Sequence, residues 1–536
     1  MAVATLASRV AGFLRILVLA AALGLGSRLL DTYNVANTLP NAVYELVVGG
    51  TMASIVVPLL TRAALDEPDG GVLYAQRLLS LIVYVLGAVT VLAIVVAPWL
   101  IDLYAPGFTA EQRELAIVFS RFFLPQILFY GLSATTSAIL NTRGRFAAGA
   151  WAPLCNSVIV IAVGLTYLAV AGSTVAGGSA PGGPASAGPP AEGGGTGLST
   201  GHLLLLGLGT TAGVVAQTVL VLWALSRSGF PVRLRLDPRG IGIRRIGKLG
   251  VWVLLAVVAS QTLTAAATRA ASWAGPGGVT AYQNASAVYL VPYAVIAVSV
   301  MTAILPRLSQ YAARGERQRV TTGLSRAVRT ALVVMAPIAA AFLLLGPHIA
   351  TVLFAHGNSS AATVRVLGLV LAGFGLTLVP FTSYMILQRG LYALQDTRTS
   401  ALITALVAAV GVAGCAAAGF LLPGEEIVIG IPVAYALAYT VGLNVTALVL
   451  RRRLGYLDGR RLLRTHVRVL VATAAGAGCA GLVVWAVNAT TWAGAFLTVT
   501  GAVLAGAVGY LAAGRLMRLA ELRHLLNLAL PGLRTW

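Results

Sequence analysis

Apolar runs of about twenty residues recur from one end of the chain to the other, separated by short stretches rich in arginine, glycine and proline. They fall near residues 4–25, 33–60, 78–103, 114–140, 149–171, 202–225, 250–271, 279–306, 325–345, 364–388, 398–422, 427–450, 467–488 and 491–514. Each is long enough, at 1.5 Å per helical residue, to cross a hydrocarbon layer of roughly 30 Å. The pattern predicts an all-α polytopic membrane protein with about fourteen transmembrane helices. The first run contains Arg9 and Arg15 and lacks a convincing cleavage site, so it is expected to be a span rather than a cleavable leader.

The runs repeat. LPQILFYGLSATTSAILNTRGR around Pro125 aligns with VPFTSYMILQRGLYALQDTRTS around Pro380, placing Ala138 on Ala393, Thr142 on Thr397 and Arg143 on Arg398. A second echo joins Pro40-Asn-Ala-Val to Pro292-Tyr-Ala-Val, each followed by an apolar run ending at Pro58 or Pro306. Both Thr-Arg copies follow an even-numbered span, the fourth and the tenth, so equivalent helices are six apart and the copies run parallel. The expected architecture is two pseudo-symmetric six-helix lobes plus two C-terminal helices. We place the N-terminal lobe at 1–226, with a flexible Gly/Ala/Ser/Pro outer loop at 172–201, and a basic amphipathic cytoplasmic linker at 227–249. The C-terminal lobe follows at 250–450, and helices 13–14 with a cytoplasmic tail at 451–536. Parallel bundles of this kind work by alternating access around a central cavity.

Composition sharpens the picture. With 58% hydrophobic and 10% charged residues, the chain falls far below the roughly 25% charge of soluble domains. A net charge of +21 would point to nucleic acid in a soluble protein; here the arginines cluster in alternate loops, which orients the chain instead. With the N-terminus cytoplasmic, Arg143 and Arg145, the set from Arg227 to Lys248, Arg307 to Arg319, and Arg451 to Arg464 all fall inside. Both termini are then cytoplasmic, and the basic inner linker is expected to meet anionic membrane lipids. Cys155, Cys415 and Cys479 lie far apart in apolar runs and, like the five histidines, form no metal pattern. No phosphate-binding glycine loop or nucleophile motif is present, so neither enzymatic activity nor a cofactor is expected, and transport must draw on the membrane potential or an H+ or Na+ gradient.

An ionisable residue inside a membrane costs roughly 2.5–3.5 kcal/mol on insertion scales and needs a reason. Arg15 lies about 16 Å into the first helix at 1.5 Å per residue, too deep to snorkel easily. Ser8 shares its stripe, and Arg9 sits nearer the inner edge. Glu45 is the acid of the second span, and pairing with Arg15 would offset both costs. Asp31, beyond the first helix, is expected in solvent or guarding the outer mouth. Arg269 is placed to snorkel from the seventh helix, while Asn41, Gln261, Gln283 and Asn284 add polar groups. Together they predict a cationic, water-reachable cavity suited to a phosphate or pyrophosphate, which guanidinium binds bidentately.

The run Ser8-Arg9-Val10-Ala11-Gly12-Phe13-Leu14-Arg15 with Asp31 and Leu39-Pro40-Asn41 resembles the MurJ (MviN) lipid II flippases of the multidrug/oligosaccharidyl-lipid/polysaccharide exporter superfamily. So do Ala105-Pro106-Gly107-Phe108, Ala138-Ile139-Leu140-Asn141, Gly144-Arg145-Phe146, Trp151-Ala152-Pro153 with Asn156, and above all Leu391 to Thr399 (LYALQDTRT). The resemblance implies a fourteen-helix fold in a bacterial cell membrane and translocation of lipid II, an undecaprenyl-pyrophosphate-linked disaccharide-pentapeptide, from inner to outer leaflet. It implies a pyrophosphate-holding cavity, with Arg9, Arg15 and Asp31 as matched charged positions, and a groove for the lipid tail beside the trailing helices. It also brings in the cell-wall synthesis machinery as a partner. The chain departs from the family at Tyr44 and Glu45, where a basic pair is usual, at Ile16 and Leu290, where acids are usual, and at Ala287, where an arginine is usual. Those departures and the arginine bias resemble an actinobacterial branch. They leave open another polyprenyl-linked glycan or a small cation as cargo; a membrane glycosyltransferase and a non-transporting scaffold are the remaining classes.

Overall fold

The computed structural model describes residues 2–49, 57–175, 199–233, 235, 243–487 and 491–529. Most of the expected outer loop (176–198) and residues 234 and 236–242 of the basic linker lie outside the described residues. Every regular element among the described residues is helical, and they divide into two compact units.

Unit 1 comprises Met1–Gln261 with Gly357–Ser359. It contains α1 (Ala2–Leu23), α2 (Arg28–Tyr44), α3 (Val57–Asp66), α4 (Val72–Val95), α5 (Ala97–Tyr104), α6 (Ala110–Phe123), α7 (Gln126–Thr142), α8 (Ala147–Val175), α9 (Thr200–Ser226) and the start of α10 (Ile243–Ser272). Unit 2, Thr262–His356 with Ser360–Trp536, holds the rest of α10. It continues through α11 (Gly278–Pro292), α12 (Val298–Ala313), α13 (Arg317–Phe354), α14 (Ala361–Ala393), α15 (Thr397–Leu421), α16 (Glu426–Leu454), α17 (Gly459–Val487), α18 (Trp492–Leu516) and α19 (Ala520–Ala529).

Among the described residues twelve helices are long and apolar enough to cross a membrane, and the chain is a multi-pass membrane protein. The two further spans expected from the sequence fall on α1, and on α2 with its continuation, part of which (50–56) lies outside the described residues.

Local chemistry sets the helix ends. Ser27 caps α2 by accepting from the Leu30 N–H at 3.0 Å, and Thr109 and Gln112 form a reciprocal capping box at the start of α6. The LYALQDTRT motif is a tight α14–α15 corner. Gln395 adopts φ +58°, and the Asp396 carboxylate accepts from the Thr399 N–H (3.1 Å) and hydroxyl (2.8 Å). Arg453 approaches Asp396 at 3.0 Å from the end of α16. The most specific family motif in the sequence therefore builds a connection. The described start of the basic linker is held on α4: Gln76 donates to Pro231 O at 2.5 Å, and Arg235 donates through its backbone to Ser80 and through Nε to Gln76.

The repeat appears in the backbone as well. A π turn spans Glu45–Gly49 after α2, and another spans Tyr293–Ala297 between α11 and α12. Each begins thirteen residues before the proline that closes its run, Pro58 or Pro306. π turns have poorer hydrogen-bond geometry than the α-helix around them and open more readily. Amides at 45–49 and 293–297 should therefore exchange hydrogen faster than those in the preceding turns of α2 and α11. Hydrogen-exchange mass spectrometry of the purified chain measures this, and uniform protection through both stretches would count against it.

In unit 1, α2 packs on α6 through the fully buried Tyr33, edge-on to Phe119 and Phe123, and α8 lies between α1 and α9. In unit 2, α17 and α18 pair with each other and seat on α13, where Leu332, Val333 and Ala336 meet Val469, Ala472 and Tyr510. The Tyr510 hydroxyl donates to Val333 O at 2.7 Å. Then α19 folds back on α13 through Leu522 and an ion pair between Arg329 and Glu521 at 2.6 Å.

Candidate functional site

Polar residues spaced four apart share one face of a helix. In unit 1 several such faces converge on a cavity of about 300 Å3. Arg15 enters it from α1, Asn37, Thr38 and Asn41 from α2, Gln126 and Tyr130 from α7, Asn156 from α8, and Thr210 and Val214 from α9. The lining thus carries one guanidinium, four amides and three hydroxyls, and no carboxylate.

The walls are cross-braced. Thr210 donates to Leu206 O at 2.7 Å, so its 2.7 Å contact with Tyr33 has the Tyr33 hydroxyl donating. The Gln126 amide donates to the Thr211 hydroxyl at 2.9 Å and accepts from the Tyr130 hydroxyl at 3.2 Å. Asn156 is 9% exposed, and its Oδ1 is buried without a hydrogen-bond partner. Space for that amide comes from Gly213 on α9, where a Cβ would stand 2.5 Å from Oδ1. Arg15 is half-buried, its charge reaches Tyr33 and Tyr130, and no described carboxylate lies within ion-pair distance. A guanidinium placed among neutral donors and acceptors can hold an anion through two parallel hydrogen bonds.

Of the expected residues, Arg15 and Asn41 line this cavity, and Ser8, Arg9, Asp31 and Glu45 of the same unit do not. Arg15 and Glu45 do not pair. Glu45 is half-buried one turn beyond Asn41, where the π turn begins, and it does not line the cavity. Asp31, expected in solvent, is 1% exposed; the Gly24–Gly26 turn folds α2 back so that its first turn is covered, and a carboxylate there suits the helix N-terminus. Ser8 donates to Ala150 O of α8 at 3.1 Å, fastening two helices. Arg9 is exposed and does not line the cavity. Gln261 is half-buried on α10. In unit 2, Arg269 stacks over Trp273 at 5.5 Å in the last turn of α10, Gln283 is half-buried, and Asn284 is buried on α11. Gln126, Tyr130, Asn37, Thr38 and Thr210 were not singled out as site residues from the sequence. For Gln126 with Tyr130, and for Asn37 with Asn41, the signal is a polar pair at i, i+4; Thr210 carries no such signal in the sequence.

Unit 2 has a separate cavity of about 390 Å3 bounded by α13, α17 and α18, with almost wholly apolar walls of residues such as Leu344, Ala480, Val503, Ala507 and Leu511. Its small residues leave a furrow along the trailing helices.

The family model described as lipid II flippase MurJ matches residues 19–503. A probable lipid II flippase MurJ of Rhizobium meliloti (strain 1021) is 29% identical over 413 residues, covering 76% of this chain and 72% of the relative. The lipid II flippase MurJ of Burkholderia cenocepacia is 26% identical over 406 residues, covering 74% and 72%. Among solved structures, a lipid II flippase MurJ in an inward closed conformation superposes with a TM-score of 0.74 at 20% identity, over 96% of this chain and 98% of that one. An inward-facing multidrug resistance MATE family transporter shares the fold at a TM-score of 0.62 and 16% identity, over 83% and 94%. The family model runs from within α1 into α18, over most of both units, and the chain belongs to the lipid II flippase MurJ family.

Proposed function

We propose that this protein translocates lipid II from the inner to the outer leaflet of the cell membrane by alternating access. The observation that carries the proposal is Arg15 without a carboxylate partner in a cavity of amides and hydroxyls. A pyrophosphate offers Arg15 two phosphate oxygens for a bidentate contact, and the amides of Asn37, Asn41 and Gln126 can share its remaining lone pairs. At about 30 Å3 per water the cavity holds roughly ten water volumes. That suits a diphosphate and is too small for a disaccharide-pentapeptide, which has to extend beyond it. The apolar furrow along α13, α17 and α18 suits the polyprenyl tail.

The arginine distribution supports cytoplasmic termini, and with them a head group taken up from the inside. Moving a multiply charged head group across the membrane couples transport to the potential at roughly 2.3 kcal/mol per charge per 100 mV. A cation as cargo is disfavoured by the lack of any carboxylate in the lining. Tyr44, Glu45 and Ala287, where the family has basic residues, keep a different polyprenyl-linked glycan as the second reading. Expression in a conditional flippase-null strain distinguishes the two. Restored growth, with lipid II no longer accumulating on the inner leaflet, is expected; an inserted chain that restores neither overturns the proposal.

A further inference from the structure

Three helix ends of unit 1 meet where their spans terminate: the C-terminus of α7 at Thr142, the N-terminus of α8 at Ala147 and the C-terminus of α9 at Ser226. Around them is an open cavity of about 570 Å3 whose lining includes Arg145, Phe146, Trp151, Trp223 and Arg227. It shares no lining residue with the Arg15 cavity. Trp151 is 44% exposed, Trp223 55% and Phe146 41%. Arg227 lies over the Trp223 ring at 5.2 Å, and Arg145 Nη1 reaches the Arg227 carbonyl at 3.5 Å.

Both arginines are exposed, and neither has a described carboxylate within ion-pair distance. Two guanidinium groups at one mouth repel each other, and an anion between them relieves that repulsion. Below them the wall is apolar and shallow because alanines at 147, 148, 150 and 224 leave a trough that larger side chains would fill. Tryptophans at a span terminus sit at headgroup depth. A soluble anion would use the arginines and leave the trough and the tryptophans idle. A ligand with a phosphate head and a hydrocarbon body uses all three.

We infer that this cavity binds one anionic phospholipid, its phosphodiester between Arg145 and Arg227, its glycerol against Trp151 and Trp223, and an acyl chain along the alanine wall. With cytoplasmic termini the lipid belongs to the inner leaflet. The site does not depend on what the protein transports.

The full-length chain, purified in detergent, is titrated with phosphatidylglycerol, phosphatidylcholine and inorganic phosphate, with binding followed by native mass spectrometry and the thermal midpoint. Phosphatidylglycerol should be retained and raise the midpoint, and the other two should not. Two interfacial arginines together account for roughly a thirtyfold difference in affinity, so Arg145→Gln/Arg227→Gln should weaken phosphatidylglycerol by about that factor. The charge-matched Arg460→Gln/Arg464→Gln control, altering exposed arginines of unit 2, should leave binding unchanged. Trp223→Leu keeps both charges and should weaken binding severalfold, which serves should the double variant fold poorly. Equal retention of phosphatidylcholine, an equal shift with inorganic phosphate, or equal loss in variant and control would each overturn the inference.

Discussion

Replacing Arg15 with alanine should leave the protein folded and inserted while cutting lipid II translocation by about a hundredfold. The two halves of that expectation have one cause. Because Arg15 has no carboxylate partner, truncating it strands no buried acid, and the lost guanidinium leaves room for water among the amides of the cavity wall. The large penalty of breaking a buried ion pair, roughly 3–5 kcal/mol, does not arise. Transport has no such refuge. A hydrogen bond to a charged group contributes about 1.5–3 kcal/mol, and a bidentate guanidinium–phosphate contact contains two. Losing about 3 kcal/mol of stabilisation for the anion in the cavity corresponds to a factor of a hundred or more. Arg15→Lys, which keeps the charge but not the planar fork, should fall between, at roughly a tenfold loss. Flux of labelled lipid II in proteoliposomes measures the effect, and thermal unfolding of the same preparation separates it from misfolding. A folded Arg15→Ala protein that transports at the native rate would remove the cavity from the transport path.

How far the sequence reaches can be seen residue by residue. Arg15 is legible because its cost in a membrane is local: one charge at one depth in one helix. Asn41 is legible beside the Leu-Pro-Asn signature. The remaining walls depend on neighbours. Gln126, Tyr130 and Thr210 sit on apolar helices where a lone polar group more often joins two helices, and only the packing of α7 and α9 against α2 and α8 turns them toward one space. Asp31 misleads because distance from an apolar run is a poor guide to exposure when a Gly24–Gly26 turn, with φ +86° and +98°, sends the chain straight back. Glu45 misleads because depth along a helix does not say which space a side chain shares: Asn41 lines the cavity with Arg15, and Glu45, one turn further on, does not. The proline echo around Pro40 and Pro292 reports on backbone shape more faithfully than on chemistry, since both copies carry the π turn while only the first carries the acid.

The second large effect concerns the hairpin on which unit 2 is built. α13 and α14 run antiparallel along a seam where Gly346 meets Gly368. A Cβ on Gly368 would stand 2.4 Å from Pro347 Cα and 2.9 Å from its nitrogen; one on Gly346 would stand 2.5 Å from the Gly368 carbonyl oxygen. Gly375 stands seven residues along the same seam, and a Cβ there would be 2.6 Å from the Ala339 carbonyl. All these obstacles are backbone atoms that no rotamer change removes, so the helices must move apart. In a bilayer, where close van der Waals packing rather than water exclusion joins helices, that separation is costly along their full length. Overpacking of this kind costs about 1–3 kcal/mol, a large share of a total stability of roughly 5–15 kcal/mol. α13 also carries α17, α18 and, through Arg329 and Glu521, α19, so the loss spreads to the apolar furrow. Gly368→Ala should therefore lower the thermal midpoint by several degrees and reduce the yield of folded protein. Gly478→Ala on α17, where a Cβ would meet nothing within 4 Å, should be neutral or stabilising because alanine favours the helix by about 1 kcal/mol. Equal midpoints for the two variants would mean that the α13–α14 seam tolerates separation, and the close approach of those backbones would then lose its place as the foundation of unit 2.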